Sequence, residues 1–213
     1  AVVLDKMEPE SFLFTKGDNT IQVMINQGLS GDFGDTVWPA AKELGTLLWN
    51  NVPFVQGKHV IELGCGPGLS GIVAAKCGAY VTFTDKRFPL CILENCKANC
   101  DLNGLNDYMI LPLDWGILDF SICSLPSVDL IIGADLMYDT KSLDSLLFTV
   151  SFLHHCNPKC QFLFVFPERE CLNSVKSYFA RWDLGLDCFL LNSNSLQRMI
   201  VACSKGLFRM NAI

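Results

Sequence analysis

With 213 residues, half of them hydrophobic, the chain reads as one domain spanning 1–213, with enough mass for a large core. A net charge of -6 argues against an electrostatic grip on a nucleic-acid backbone and is easier to reconcile with a basic protein partner. The opening A-V-V-L-D-K-M-E carries charge too early for a secretory leader and no run of about eighteen uncharged apolar residues occurs, so no membrane association and a cytoplasmic or nuclear location are expected.

In chain order, F-L-F-T and T-I-Q-V-M-I, joined by K-G-D-N, predict a β-hairpin, an N-terminal accessory within residues 1–34 ahead of a core at 35–213. A Gly/Asp-rich stretch then leads into T-V-W-P-A-A-K-E-L-G-T-L-L-W, a helix with Thr36 or Asp35 as its expected cap and Pro39 near its first turn. Trp38 at its head reads equally as a core aromatic or as one wall of a ligand pocket. From Lys58 the pattern alternates. Strands are predicted at 58–64, 79–84, 107–112, 128–134 and 160–166, with helices at 69–77, 88–102, 140–155 and 170–182. Strand-like segments at 186–191 and 197–203 follow without a helix between them. The implied fold is α/β: a Rossmann-like, seven-stranded, mostly parallel sheet with helices on both faces, closed by a hairpin that adds an antiparallel strand. The eleven cysteines are odd in number and scattered through strands and helices, which reads as reduced core thiols. Neither Cys91-Cys96-Cys100 nor His154-His155-Cys156 with Cys160 has paired C-x-x-C spacing, so no metal site is expected.

Val60 to Gly71, V-I-E-L-G-C-G-P-G-L-S-G, is the stretch around which the chain is organised. A buried strand, a turn freed by Gly64, Gly66 and Gly68, and a helix start form a cradle that offers unpaired N–H groups to a small ligand. The third glycine stands at 68, one place early for a dinucleotide fingerprint, and Glu62 would repel phosphates but could bond an ammonium. A cationic, zwitterionic nucleoside fits better than a pyrophosphate. The next strand ends at Asp85-Lys86, about twenty residues on, where a carboxylate reaches a ribose diol. Two further strand ends carry Asp114-Trp115 and Asp135-Leu136-Met137-Tyr138. Asp114 and Trp115 read either as a turn acid and a core aromatic or as a nucleobase site, Asp135 and Tyr138 either as a helix cap with a buried tyrosine or as groups facing a substrate.

Taken together, V-W-P-A-A, E-L-G-C-G-P-G-L-S-G, T-D-K, L-D-W-G and D-L-I-I-G-A-D-L-M-Y resemble the seven-β-strand, S-adenosylmethionine-dependent protein methyltransferases. Within them the chain is most similar to the methyltransferase-like branch that modifies lysine and, in some members, arginine or histidine. The resemblance covers roughly half the chain, Val37 to about Tyr138. It implies a protein N-methyltransferase that uses S-adenosylmethionine, releases S-adenosylhomocysteine and needs no metal. Trp38, Glu62, Gly64 and Gly66 would then line the methionine end of the cofactor, with Cys65, Lys86 and Ala134 as further contacts. Asp85 would hold the ribose, Asp114 and Trp115 would flank the adenine, and Asp135 and Tyr138 would face the acceptor as catalytic residues. Lysine is the expected acceptor, with arginine and histidine as alternatives, because Pro39 stands where lysine-modifying relatives often carry Asp, a feature shared with the arginine-associated branch. A monomer acting on a protein substrate is expected, a basic protein such as a histone or a chaperone given the acidic net charge. The rival readings are a small-molecule or RNA methyltransferase, a nicotinamide enzyme, and a cofactor-binding scaffold. The fourth strand end reads D-L-M-Y, without the paired prolines expected for amino groups on adenine or glutamine.

Overall fold

Strand β1 (Glu10–Lys16) and strand β2 (Asn19–Ile25) pair antiparallel with Lys16 opposite Asn19, so Gly17 and Asp18 form a two-residue turn. Gly17 takes a φ of 56°, the left-handed conformation such tight hairpins demand. In the computed structural model the described residues are 8–28, 33–168, 172–191 and 198–207. The predicted hairpin is thus present as a separate two-stranded sheet, and its inward side chains Phe12, Phe14, Val23 and Ile25 are buried.

Helix α1 runs Pro39–Asn50, with Trp38 as its N-cap and no side-chain cap. The expected caps at Thr36 and Asp35 are therefore corrected: Pro39 fixes the helical φ and lacks an N–H that needs capping. Asp35 is instead buried, and its carbonyl accepts the N–H of Gly28 at 2.9 Å. A four-residue helix α2 (Val52–Val55), too short to show a period, precedes the main sheet.

The alternation from Lys58 onward is realised as β3 (His59–Leu63), α3 (Leu69–Lys76), β4 (Tyr80–Asp85), α4 (Cys91–Leu102) and β5 (Tyr108–Pro112). The short α5 (Phe120–Cys123) was not legible; then come β6 (Leu130–Ala134), α6 (Thr140–Cys156), β7 (Gln161–Pro167), α7 (Leu172–Arg181), β8 (Leu186–Leu191) and β9 (Met199–Ser204). Helix α4 begins at Cys91 rather than 88, because the residue before Pro89 is disfavoured from helical ψ. The predicted start of α7 at 170 lies outside the described residues, as does 197 at the start of β9.

The seven strands lie in the order β5-β4-β3-β6-β7-β9-β8, parallel except for the β7–β9 and β9–β8 pairs. The chain winds outward from β3 through β4 to β5, then restarts at β6 on the other side. The period-2 alternation of side chains sorts the core into two layers. Val60, Leu130, Ile132 and Val165 face α1, α3, α4 and the hairpin; Ile61, Leu63, Ile131 and Phe164 face α6 and α7. Among the described cysteines, Cys65, Cys77, Cys96, Cys100, Cys160 and Cys203 are buried, but Cys91, Cys123 and Cys156 are exposed, which corrects the expectation of core thiols throughout. Cys171 lies outside the described residues. No described helix is long and apolar enough to cross a membrane.

On the α6–α7 face, Phe162, Phe164 and Phe179 meet with centroids 5.4 to 6.4 Å apart, and Phe179 is fully buried. Phe179→Ala should cost about 3–5 kcal/mol. Urea unfolding checks this, and a loss below about 1 kcal/mol would mean that the site collapses around the gap.

Candidate functional site

Where the winding direction reverses, the carboxyl ends of β5, β4, β3 and β6 stand side by side, the place where open α/β sheets hold ligands. A cavity of about 460 Å³ opens there, within the roughly 300–1,000 Å³ of small-molecule sites. All twelve residues singled out from the sequence line it: Trp38, Glu62, Gly64, Cys65, Gly66, Asp85, Lys86, Asp114, Trp115, Ala134, Asp135 and Tyr138.

The floor is the turn between β3 and α3. Gly64, Gly66 and Gly68 all take positive φ, at 59°, 49° and 91°. A Cβ on Gly64 would stand 2.7 Å from Leu136 and 3.3 Å from the Trp115 ring; one on Gly66 would press to 3.2 Å against the Gly34 carbonyl. The turn is thus closed from above by the segment after the hairpin, a feature no local motif announced. The Cys65 N–H donates to the Thr84 carbonyl at 2.9 Å, and the Gly66 N–H to Asp85 Oδ2 at 2.9 Å. The other oxygen of Asp85 accepts the Lys86 N–H at 2.8 Å, so this carboxylate is held by backbone on both sides. Burial pushes the Cys65 thiol up to about 12, and its Sγ lies 3.7 Å from Cys96 Sγ; it packs as a neutral thiol.

Glu62 is 2% exposed and faces the side of α3 that lacks a Cβ at Gly71, where an added methyl would lie 2.4 Å from its Oε2. It accepts the Gly71 N–H at 3.1 Å. Burial pushes its carboxyl up to about 8; the Ser70 hydroxyl and the Gly71 N–H pull it down, and Asp85 pushes it further up. A buried acid that holds its proton near neutrality is poised to ionise against an incoming cation.

Asp114 is partly claimed. Its Oδ1 accepts the Arg87 N–H at 3.0 Å and its Oδ2 faces Arg87 Nε at 3.4 Å, while the same guanidinium reaches Asp119. Arg87 therefore staples the β4 and β5 ends together, a role the sequence reading missed. Trp115 packs on the α6–α7 core layer while lining the cavity.

At the far end, the Asp135 N–H extends the β6 ladder to the Val165 carbonyl at 2.8 Å, and the chain then turns through a left-handed φ of 53°. Such a conformation in a non-glycine residue is uncommon and clusters at functional sites. Asp135 does not cap α6. That cap is Asp139, whose side chain accepts the Lys141 N–H at 2.9 Å. Tyr138 is 63% exposed and Trp38 37%, so neither is a core aromatic; both stand at the cavity wall. Ser142 and Ser145, from the first turns of α6, also line it and were not anticipated. Among the described residues, no group of three or more His, Cys, Asp or Glu is arranged to hold a metal ion, and His154 Nδ1 lies 3.0 Å from the Cys160 carbonyl as a helix-end contact.

The Glu62 carboxyl generates a pH prediction. Its folded pKa is raised from 4.5 to about 8, so its contribution to stability is full below the unfolded value and is lost as pH rises through the folded one. Without ligand, the wild type should lose stability relative to Glu62→Gln on going from about pH 6 to about pH 9, measured by urea unfolding. A difference that is flat, or that grows in favour of the wild type, contradicts this account of the buried acid.

Comparison with known proteins agrees with this geometry. A family model described as lysine methyltransferase matches residues 17–183. Histone-arginine methyltransferase METTL23 of Mus musculus is 38% identical over 165 residues, 77% of this chain and 65% of the mouse protein. Protein N-lysine methyltransferase METTL21A of Mus musculus is 34% identical over 154 residues, 72% of this chain and 70% of that protein. Among solved structures, the ribosomal protein L11 methylase of Lactobacillus delbrueckii subsp. bulgaricus superposes with a TM-score of 0.60 at 20% identity, covering 79% of this chain and 80% of that one. The tRNA (uracil-54, C5)-methyltransferase of Pyrococcus abyssi, solved with S-adenosyl-L-homocysteine, superposes at 0.57 and 15% identity, covering 93% of this chain and 44% of that one; both likenesses concern the fold. The chain belongs to the lysine methyltransferase family.

Proposed function

We propose that the chain is an S-adenosylmethionine-dependent enzyme that moves a methyl group to a side-chain nitrogen of a protein, and that this nitrogen belongs to arginine in a basic segment such as that of a histone. The observation that carries the cofactor reading is the glycine cradle, with three left-handed glycines beneath a cavity and carboxylates at both of its neighbouring strand ends. The residues fit such a ligand. Glu62 offers a buried acid to the ammonium of a methionine moiety. Asp85, held by the N–H groups of Gly66 and Lys86, stands one strand away to take ribose hydroxyls. Trp115 offers a ring face beside Asp114 for a base. Lys86 and Ala134 complete the walls.

When bound, S-adenosylmethionine supplies a methyl group already activated by its sulfonium. The chain then has to align the acceptor and exclude water, gains that come from orientation. Trp38 and Tyr138 form aromatic walls suited to a cationic side chain entering the cavity mouth. With the cofactor bound, the Asp135 carboxylate would accept an N–H of the acceptor, orient that nitrogen and take up the proton it loses as the N–C bond replaces the S–C bond, leaving a neutral thioether.

Arginine is preferred over the lysine expected from sequence on two grounds. Pro39 departs from the pattern of lysine-modifying relatives, and the METTL23 proteins, named for histone arginine, match 70–79% of this chain. The net charge of -6 suits a basic partner. A single-chain enzyme in the cytoplasm or nucleus is part of the same proposal.

Transfer of labelled methyl from S-adenosylmethionine into cell lysate, followed by protease or nuclease digestion and amino-acid analysis, tests this directly. Label should be protease-sensitive and recovered as methylarginine. Asp135→Asn should lower turnover by about a hundredfold while leaving cofactor affinity within about twofold. Nuclease-sensitive label, label in small molecules or undiminished turnover in Asp135→Asn would overturn the acceptor class or the role of Asp135.

A further inference from the structure

Strand β2 has two edges. One pairs with β1, and the other is met by side chains rather than by a third strand. Met24 and Asn26 lie two residues apart, so their backbone groups point to the same open edge. Asn95, Asn99 and Asn103, spaced by four along α4 and its cap, lie opposite. Asn103 accepts the Met24 N–H at 3.0 Å and donates to the Met24 carbonyl at 2.6 Å. Asn99 does the same for Asn26, at 2.8 Å and 3.0 Å, and Asn95 also donates to the Asn26 carbonyl at 3.0 Å. The amides thus act as a substitute strand that docks the hairpin onto the core.

Asn99 differs from its neighbours in one respect. It is fully buried, and the second hydrogen of its Nδ2 reaches the Pro67 carbonyl, in the middle of the glycine turn, at 2.9 Å. Its orientation is fixed by its partners, because one N–H and two carbonyls leave a single way to place the amide. Resting on the cofactor reading above, we propose that Asn99 is a positioning residue: by tying Pro67 to the end of the hairpin strand it sets the shape of the cofactor turn, so that hairpin docking and cofactor affinity are coupled. The coupling runs both ways, since a ligand that fixes the turn must also tighten the hairpin's hold. Asn26 and Asn99 are not among the cavity-lining residues but Pro67 is, so the Asn99–Pro67 bond gives them a route to the ligand.

Two variants separate positioning from general support. Asn99→Ala and Asn103→Ala each remove two bonds to the hairpin backbone, but only the first removes the bond to Pro67. Calorimetric titration of the full chain with S-adenosylmethionine should show Asn99→Ala weakened by about tenfold and Asn103→Ala within about twofold of wild type, with turnover at saturating cofactor unchanged in both. Affinity unchanged in Asn99→Ala, or lowered equally in Asn103→Ala, overturns the inference alone. Absence of binding by the wild type overturns the cofactor reading and the inference with it. Should Asn99→Ala not fold, hydrogen exchange on the wild type decides: S-adenosylmethionine should slow the Asn26 amide more than the Met24 amide, and equal or absent slowing contradicts the coupling.

Discussion

The turn from Leu63 to Leu69 carries the constraint on which the rest of this structure depends. Three of its residues sit in left-handed backbone, a conformation that fixes its shape only if something outside the turn holds it. That hold comes from four directions. The β4 end supplies the Asp85 carboxylate and the Thr84 carbonyl, α4 supplies Asn99, the segment after the hairpin supplies the Gly34 backbone, and Leu136 and Trp115 close against Gly64. The β4 end and Leu136 reach the turn because the sheet order brings β4, β3 and β6 together, whereas Asn99 and Gly34 come from α4 and from the segment after the hairpin that α4 holds. The fold and the cradle are therefore one arrangement, and a change in any of the four supports alters the surface offered to a ligand.

Electrostatics follow from the same packing. Glu62 occupies a core-facing position of β3, where an aliphatic residue would be expected, and only the missing side chain of Gly71 leaves it room. Burial there destabilises the charged form of the acid. Asp85 is treated differently: backbone N–H groups embrace it, so it stays in place as an acceptor. One cradle thus carries a proton-holding acid at one end and a fixed acceptor at the other. Asp135, at the strand on the opposite side of β3, adds a third carboxylate by way of a strained backbone.

Much of this is legible in the sequence. Period-2 strands and 3.6-period helices are local signals, so β3 to β7 and their helices fell within a few residues of their predicted bounds. The strand-end residues were legible because parallel sheets put ligands at one edge, which turns a sequence position into a spatial one. What escaped was non-local or short. Asn95, Asn99 and Asn103 show their four-residue spacing openly, but the backbone they grip lies some seventy residues earlier in the chain and carries no motif. Arg87 looks like any surface arginine until Asp114 and Asp119 come opposite it. The four-residue α2 and α5 have no period to detect, and Asp35 looked like a helix cap although Pro39 already starts α1 unaided.

The central claim is that the cradle binds a cationic nucleoside rather than a dinucleotide, and equilibrium binding tests it most directly. Titration of the purified chain should give one-to-one binding of S-adenosylmethionine and of S-adenosylhomocysteine, with no heat from a nicotinamide dinucleotide at the same concentrations. Binding of the dinucleotide with comparable affinity, or failure of both sulfur nucleosides to bind, would contradict the account.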